Sequence, residues 1–152
     1  MNLVKEIKFR GKTKTNDLYG WVKKGEWVTG NLIIDDGKYY IGTGYPNKQG
    51  TDNYIEVTPE TVGQYTGLRD ENNKEIYEGD VIEFYGYAES GFYHGRFSDK
   101  GKVWYSPEDF MFLFEHPNIS LYNAVTKYRG LNAKIRILGN IYENPELLEK
   151  GE

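Results

Sequence analysis

Glu26-Trp27-Val28-Thr29-Gly30-Asn31-Leu32-Ile33-Ile34-Asp35-Asp36-Gly37-Lys38-Tyr39-Tyr40-Ile41 is the stretch on which the fold turns. β-Branched and aromatic side chains fill both flanks, as a pleated, half-buried surface favours. Between them, Asp36-Gly37 marks a tight hairpin, because both positions tolerate positive φ. The pattern predicts antiparallel strands over 26–34 and 38–41.

Reading toward the N-terminus, Lys23-Lys24-Gly25 is a second turn, fed by a short strand over Tyr19 to Val22. Before it, Gly11 to Asp17 reads as a polar turn region and Val4 to Arg10 as an alternating strand with Ile7 and Phe9 inward. Toward the C-terminus, Gly42 to Asn53 is a loop rich in Gly, Asn and Gln, Tyr54 to Val57 is a strand, and Pro59 marks a subdomain boundary near residue 60. Past it, Val62 to Leu68 and Glu75 to Tyr77 flank the turn Arg69 to Lys74. Glu78-Gly79-Asp80 then leads into Val81 to Tyr85, and a glycine-rich loop is expected over Gly86 to Gly95. Strands follow at Arg96-Phe97, Lys102 to Tyr105, Phe110 to Glu115, Ile119 to Tyr122 and Lys134 to Leu138, with a turn or bulge at Gly139-Asn140. Asn144-Pro145-Glu146-Leu147-Leu148 reads as a short terminal helix, with Pro at its first position. Ser106-Pro107-Glu108-Asp109 starts like a helix, but Phe110 to Phe114 lacks helical periodicity. Residues 78–142 supply about five strands, enough for a small barrel. The expectation is a mostly β chain: a hairpin or meander subdomain over 1–60, and a small barrel with a short helix over 61–152.

Composition agrees. Fourteen Tyr, seven Phe and three Trp make 16% of the chain, and eighteen glycines suit tight turns. There is no cysteine, which removes disulfides, thiol nucleophiles and cysteine-held zinc together and fits a reducing, cytoplasmic compartment. The charged opening, with Lys5, Glu6, Lys8 and Arg10, is not read as a secretory signal. The longest apolar run, Phe110 to Phe114, is far short of a membrane span. Net charge is −4, unevenly spread: residues 1–30 hold seven basic and three acidic side chains (+4), residues 61–120 five and eleven (−6). Segments of opposite sign can attract each other within one copy or between copies.

Four stretches carry a family resemblance: Lys5-Glu6-Ile7-Lys8-Phe9-Arg10; Gly25-Glu26-Trp27-Val28-Thr29-Gly30-Asn31-Leu32-Ile33; Pro59 to Asp70 continuing through Lys74-Glu75-Ile76-Tyr77-Glu78-Gly79-Asp80-Val81-Ile82; and Leu138 to Leu148. Together they resemble the YopX family of phage and prophage proteins. The resemblance implies a β-rich chain with an SH3-like small barrel and brings no established biochemical role. Where the family has Asn-Gly in one hairpin, this chain has Asn72-Asn73, which the left-handed region also accepts.

Motifs for catalysis are absent. Gly95 to Lys102 has five residues between its glycines where a phosphate loop has four, and Val103 stands where magnesium needs a hydroxyl. Asp70 to Glu75 begins like a calcium loop but has Glu75 where Gly is required and Val81 where the bidentate acid belongs. Gly42-Thr43-Gly44 lacks the third glycine of a dinucleotide site. His94 and His116 have no metal-ligand spacing. No metal, cofactor or enzymatic activity is expected, and Gly79-Asp80 is read as turn chemistry.

The candidate binding residues are Tyr85, Tyr87, Phe92, Tyr93, His94 and Arg96, aromatics interleaved with cations that could grip a peptide or stack on bases. The same aromatics could form an oligomer seam. The leading expectation is a non-enzymatic accessory protein acting through protein contacts, including homo-oligomer formation; the alternative is a small-barrel nucleic-acid-binding module.

Overall fold

The computed structural model describes residues 6–17, 20–46, 52–89, 94–109, 111–115 and 119–149. It is mostly β, as expected, and its chain divides into two compact units, Met1–Tyr65 and Thr66–Glu152.

In the first unit, β1 (Phe9–Lys12), β2 (Trp27–Asp35), β3 (Lys38–Pro46) and β4 (Asp52–Val57) pair in sequence, all antiparallel. The β2–β3 turn is the tight one read from Asp36-Gly37, with φ of 44° and 71°. The end of β4 returns to β1: Thr13 bridges Val57, and the Thr58 N–H donates to the Lys12 carbonyl at 2.8 Å. This curl encloses Val28, Ile41, Ile55 and Val57, with Phe9, Leu32 and Val62 against them. Three expectations change here. The first strand begins at Phe9 and runs through Gly11, because Gly11 is a close-approach glycine: a β-carbon there would lie 2.9 Å from the Val57 side chain. Gly20 to Val22 form a bend, not a strand, since the Asp17 carboxylate accepts the Val22 N–H at 2.8 Å and folds the segment back. The loop predicted from Gly42 is strand as far as Pro46, paired to β4.

β5 (Gly63–Arg69) follows a 3-10 turn at Pro59–Thr61 and begins in the first unit, where Gly63 and Gln64 pair with β1. Its last residues enter the second unit and lie beside β6 (Glu75–Tyr77). The turn between them works as the sequence predicts. The Asp70 carboxylate accepts the N–H groups of Asn72 and Lys74, and Asn73 takes the left-handed conformation at φ 63°.

The second unit is built on β7 (Asp80–Ala88), β8 (Gly95–Ser106), β9 (Met111–Phe114), β10 (Ile119–Ser120) and β11 (Lys134–Asn140), ordered β10-β9-β8-β7-β11. No β10–β11 pairing closes this order into a ring among the described residues. The outer edge of β11 is met by a turn: the Glu71 N–H donates to the Ile135 carbonyl at 2.8 Å. Of the glycine-rich loop expected over 86–95, residues 86–88 and 95 are strand, and 90–93 lie outside the described residues. Gly86, Tyr87 and Ala88 pair with Phe97, Arg96 and Gly95, and Gly86 leaves room for the Phe97 ring 3.1 Å from where a β-carbon would sit. Ser106 to Asp109 is a turn closed by the Ser106 hydroxyl.

The largest departure is α1 (Leu121–Gly130), where a strand over 119–122 was expected. The Ser120 hydroxyl accepts the Asn123 N–H as N-cap, and Leu121, Ala124 and Tyr128 recur at helical spacing on the buried face. These join Ile76, Ile82, Phe84, Val103 and Phe114 in the core. The short terminal helix read from Asn144-Pro145 is present as a 3-10 helix, Pro145–Leu148. Gly79 has φ 86° and Asp80 accepts the Tyr77 N–H at 2.8 Å, so this pair is turn chemistry, as read. The predicted bulge falls between Ile137 and Gly139.

Candidate interaction surfaces

Strand parity decides what the β11-β7-β8 face presents. Tyr85 lies opposite Lys134 on one side and Ser98 on the other; Tyr87 lies opposite Arg96; Glu83 lies between Arg136 and Lys100. Directly opposed residues point the same way, so these side chains share a face, while Phe84, Phe97 and Ile135 turn to the core. Of the sequence candidates, Tyr85, Tyr87 and Arg96 are thus brought together. His94 is exposed just before β8, and Phe92, Tyr93 and His116 lie outside the described residues. Lys100, Lys134 and Arg136 were missed. Their alternation within β8 and β11 was legible, but their placement beside Tyr85 depends on register between distant segments.

Glu83, buried at 8% exposure, organises this face. Burial pushes its carboxyl up, but hydrogen bonds from Ser98 and Arg136, with the charges of Arg136 and Lys100, outweigh burial and hold it below the usual range. Arg136 also lies over the Tyr85 ring, 4.5 Å from its centre, and the Tyr85 hydroxyl donates to Glu71 at 2.6 Å. That hydrogen bond is the main reason the Tyr85 phenol is raised above its ordinary value, followed by desolvation. A carboxylate depressed in the folded state adds stability above its unfolded value, near pH 4.3, that is lost as pH falls through the folded value. Glu83→Gln is therefore expected to flatten the loss of stability on acidification below about pH 4.5. Urea melts at a series of pH values check this; parallel curves for the two proteins would refute it.

A second surface surrounds α1. Leu68, Met111, Phe112, Leu121, Tyr122 and Val125 line a mainly apolar groove of about 630 Å³ within the second unit. Tyr122 is 78% exposed and Met111 42%. Sequence reading missed it because it missed the helix; the Leu121, Ala124, Val125, Tyr128 spacing was the available signal.

Gly95 to Lys102, considered as a phosphate loop, is β8, and Asp70 to Glu75, considered as a calcium loop, is the β5–β6 turn. Among the described residues no three His, Asp or Glu side chains gather to hold a metal, and no helix is long and apolar enough to cross a membrane.

No curated protein matches the chain. Among solved structures, it is similar to protein EF1440 from Enterococcus faecalis at 27% identity, covering 95% of this chain and 99% of that one, with a TM-score of 0.49. The model of the family described as YopX protein matches residues 8–149, nearly the whole length. The resemblance read from four separate stretches is thus a match to one family across both units, and the chain belongs to the YopX family.

Proposed function

We propose that this is a non-enzymatic accessory protein of bacteriophage or prophage that works in the cytoplasm of the bacterial host through protein contacts, the first being with its own copies. The resemblance to phage and prophage proteins supports the origin. The observation that carries the contact is the groove beside α1, where Met111 and Tyr122 leave apolar surface exposed. Contiguous apolar surface of this kind marks an interaction site. The hairpin face around Tyr85 is rich in charge, and interface centres are depleted of charge, so self-contact is assigned to the groove. Electrostatics favour a second copy as occupant. The groove lining itself holds one charged side chain, Arg129, but Glu108, Asp109 and Glu115, the last paired with Lys102, flank β9 in the −6 segment, and the opening thirty residues of another copy bring +4.

Light scattering at micromolar concentration is expected to give a small multiple of the 17.6 kDa chain mass. Met111→Ser with Tyr122→Ser is expected to reduce it to the single-chain mass without lowering the melting temperature. A single-chain mass for the unaltered protein would overturn self-assembly. An unchanged multiple in the double variant would remove the groove from the contact.

A further inference from the structure

We infer that the outward face of β11-β7-β8 is a track for single-stranded nucleic acid, independent of the groove. The face carries four cations, Arg96, Lys100, Lys134 and Arg136, around Tyr85 and Tyr87. Two of the cations are already engaged: Arg136 holds Glu83, and Lys134 lies 3.6 Å from Glu71. Arg96 and Lys100 are exposed and form no ion pair among the described residues. They stand four residues apart on one strand, hence on the same face and about 13 Å from each other. Tyr87, 60% exposed, is directly opposite Arg96. A ring open to solvent beside exposed cations, of which Lys100 also faces the Glu83 carboxylate, is the arrangement that stacks a base while its phosphates are neutralised.

The rest of the unit narrows the choice of partner. Residues 66–152 hold fifteen acidic and ten basic side chains, a net −5. A broad duplex would bring many more phosphates against a unit of net negative charge, whereas one strand can follow the two cations alone. The face is also a sheet surface, and the described residues place no helix on it to enter a groove. Bases already unstacked are what an exposed tyrosine can use. An acidic peptide would satisfy Arg96 and Lys100 but would leave the Tyr87 ring without a π partner.

Neutralising two phosphates gives a slope near −1.4 in log K against log salt, about a sevenfold loss between roughly 50 and 200 mM salt. The probe is a fluorescently labelled oligothymidylate of roughly twenty nucleotides, titrated with the full chain and followed by anisotropy. Binding with about that salt dependence is expected, with loss of binding in Arg96→Glu/Lys100→Glu. Tyr87→Ala should weaken binding about tenfold while Tyr87→Phe retains it, since only the ring is needed. Lys74→Glu, in the β5–β6 turn, should leave it unchanged. Circular dichroism melts establish that each variant is folded, and Arg96→Ala alone serves if the double reversal is not. Absence of binding at low salt overturns the inference. So does equal binding of a duplex or of oligoglutamate, or indifference to the changes at Arg96 and Lys100.

Discussion

Phe84→Ala is expected to cost the second unit about 3–5 kcal/mol, the range for removing a fully buried aromatic ring. Phe84 is 1% exposed, stacked on Tyr128 at 4.4 Å between ring centres and edge-on to Phe114 at 5.2 Å. It therefore joins β7 to α1 and β9, and its loss leaves a cavity bounded by three elements that cannot all collapse inward. Phe84→Leu, which keeps most of the volume, should cost much less. Urea unfolding monitored by tyrosine and tryptophan fluorescence measures both. A loss below about 1 kcal/mol for the alanine variant would mean that this ring is not central to the core.

Gly79→Val is the second large effect, about 3 kcal/mol, and it has two sources. At φ 86° a β-branched residue is strained by roughly 1–3 kcal/mol. In addition, a β-carbon at Gly79 would lie 2.8 Å from the Tyr142 ring, which has to move. The backbone at Gly79 is held on both sides: its N–H donates to Val103 and its carbonyl accepts from Ile141. The turn cannot relax without releasing β8 or the segment after β11. The urea midpoint should fall with little change in slope. A variant as stable as the parent would show that the turn tolerates a side chain.

What the sequence made legible was local turn chemistry. Asp36-Gly37, Asn73, Gly79-Asp80 and the bulge before Gly139 each follow from which residues accept an unusual φ or offer a short polar side chain. The misreadings come from glycines whose job is not local. Gly11 and Gly86 look like loop residues, yet each lies in a strand where the Val57 side chain or the Phe97 ring comes close. Helix α1 was hidden by poor propensity, since Tyr122, Val125, Thr126 and Tyr128 favour strands and only tertiary burial makes the segment helical. The candidate face was half legible. Tyr85, Tyr87 and Arg96 are near in sequence, but Lys134 and Arg136 join them only through the pairing of β11 with β7.

That pairing also orders events during synthesis. β7 and β8 leave the ribosome as neighbours and can form their hairpin at once. The other edge of β7 has no partner until Lys134–Asn140 is made, after β9, β10 and α1. Throughout that interval Ile82 and Phe84 sit on an open strand edge, the surface most prone to pair with a stranger's strand. Chains interrupted before Lys134 would keep that edge permanently, and they should collect in the insoluble fraction while full-length chains do not.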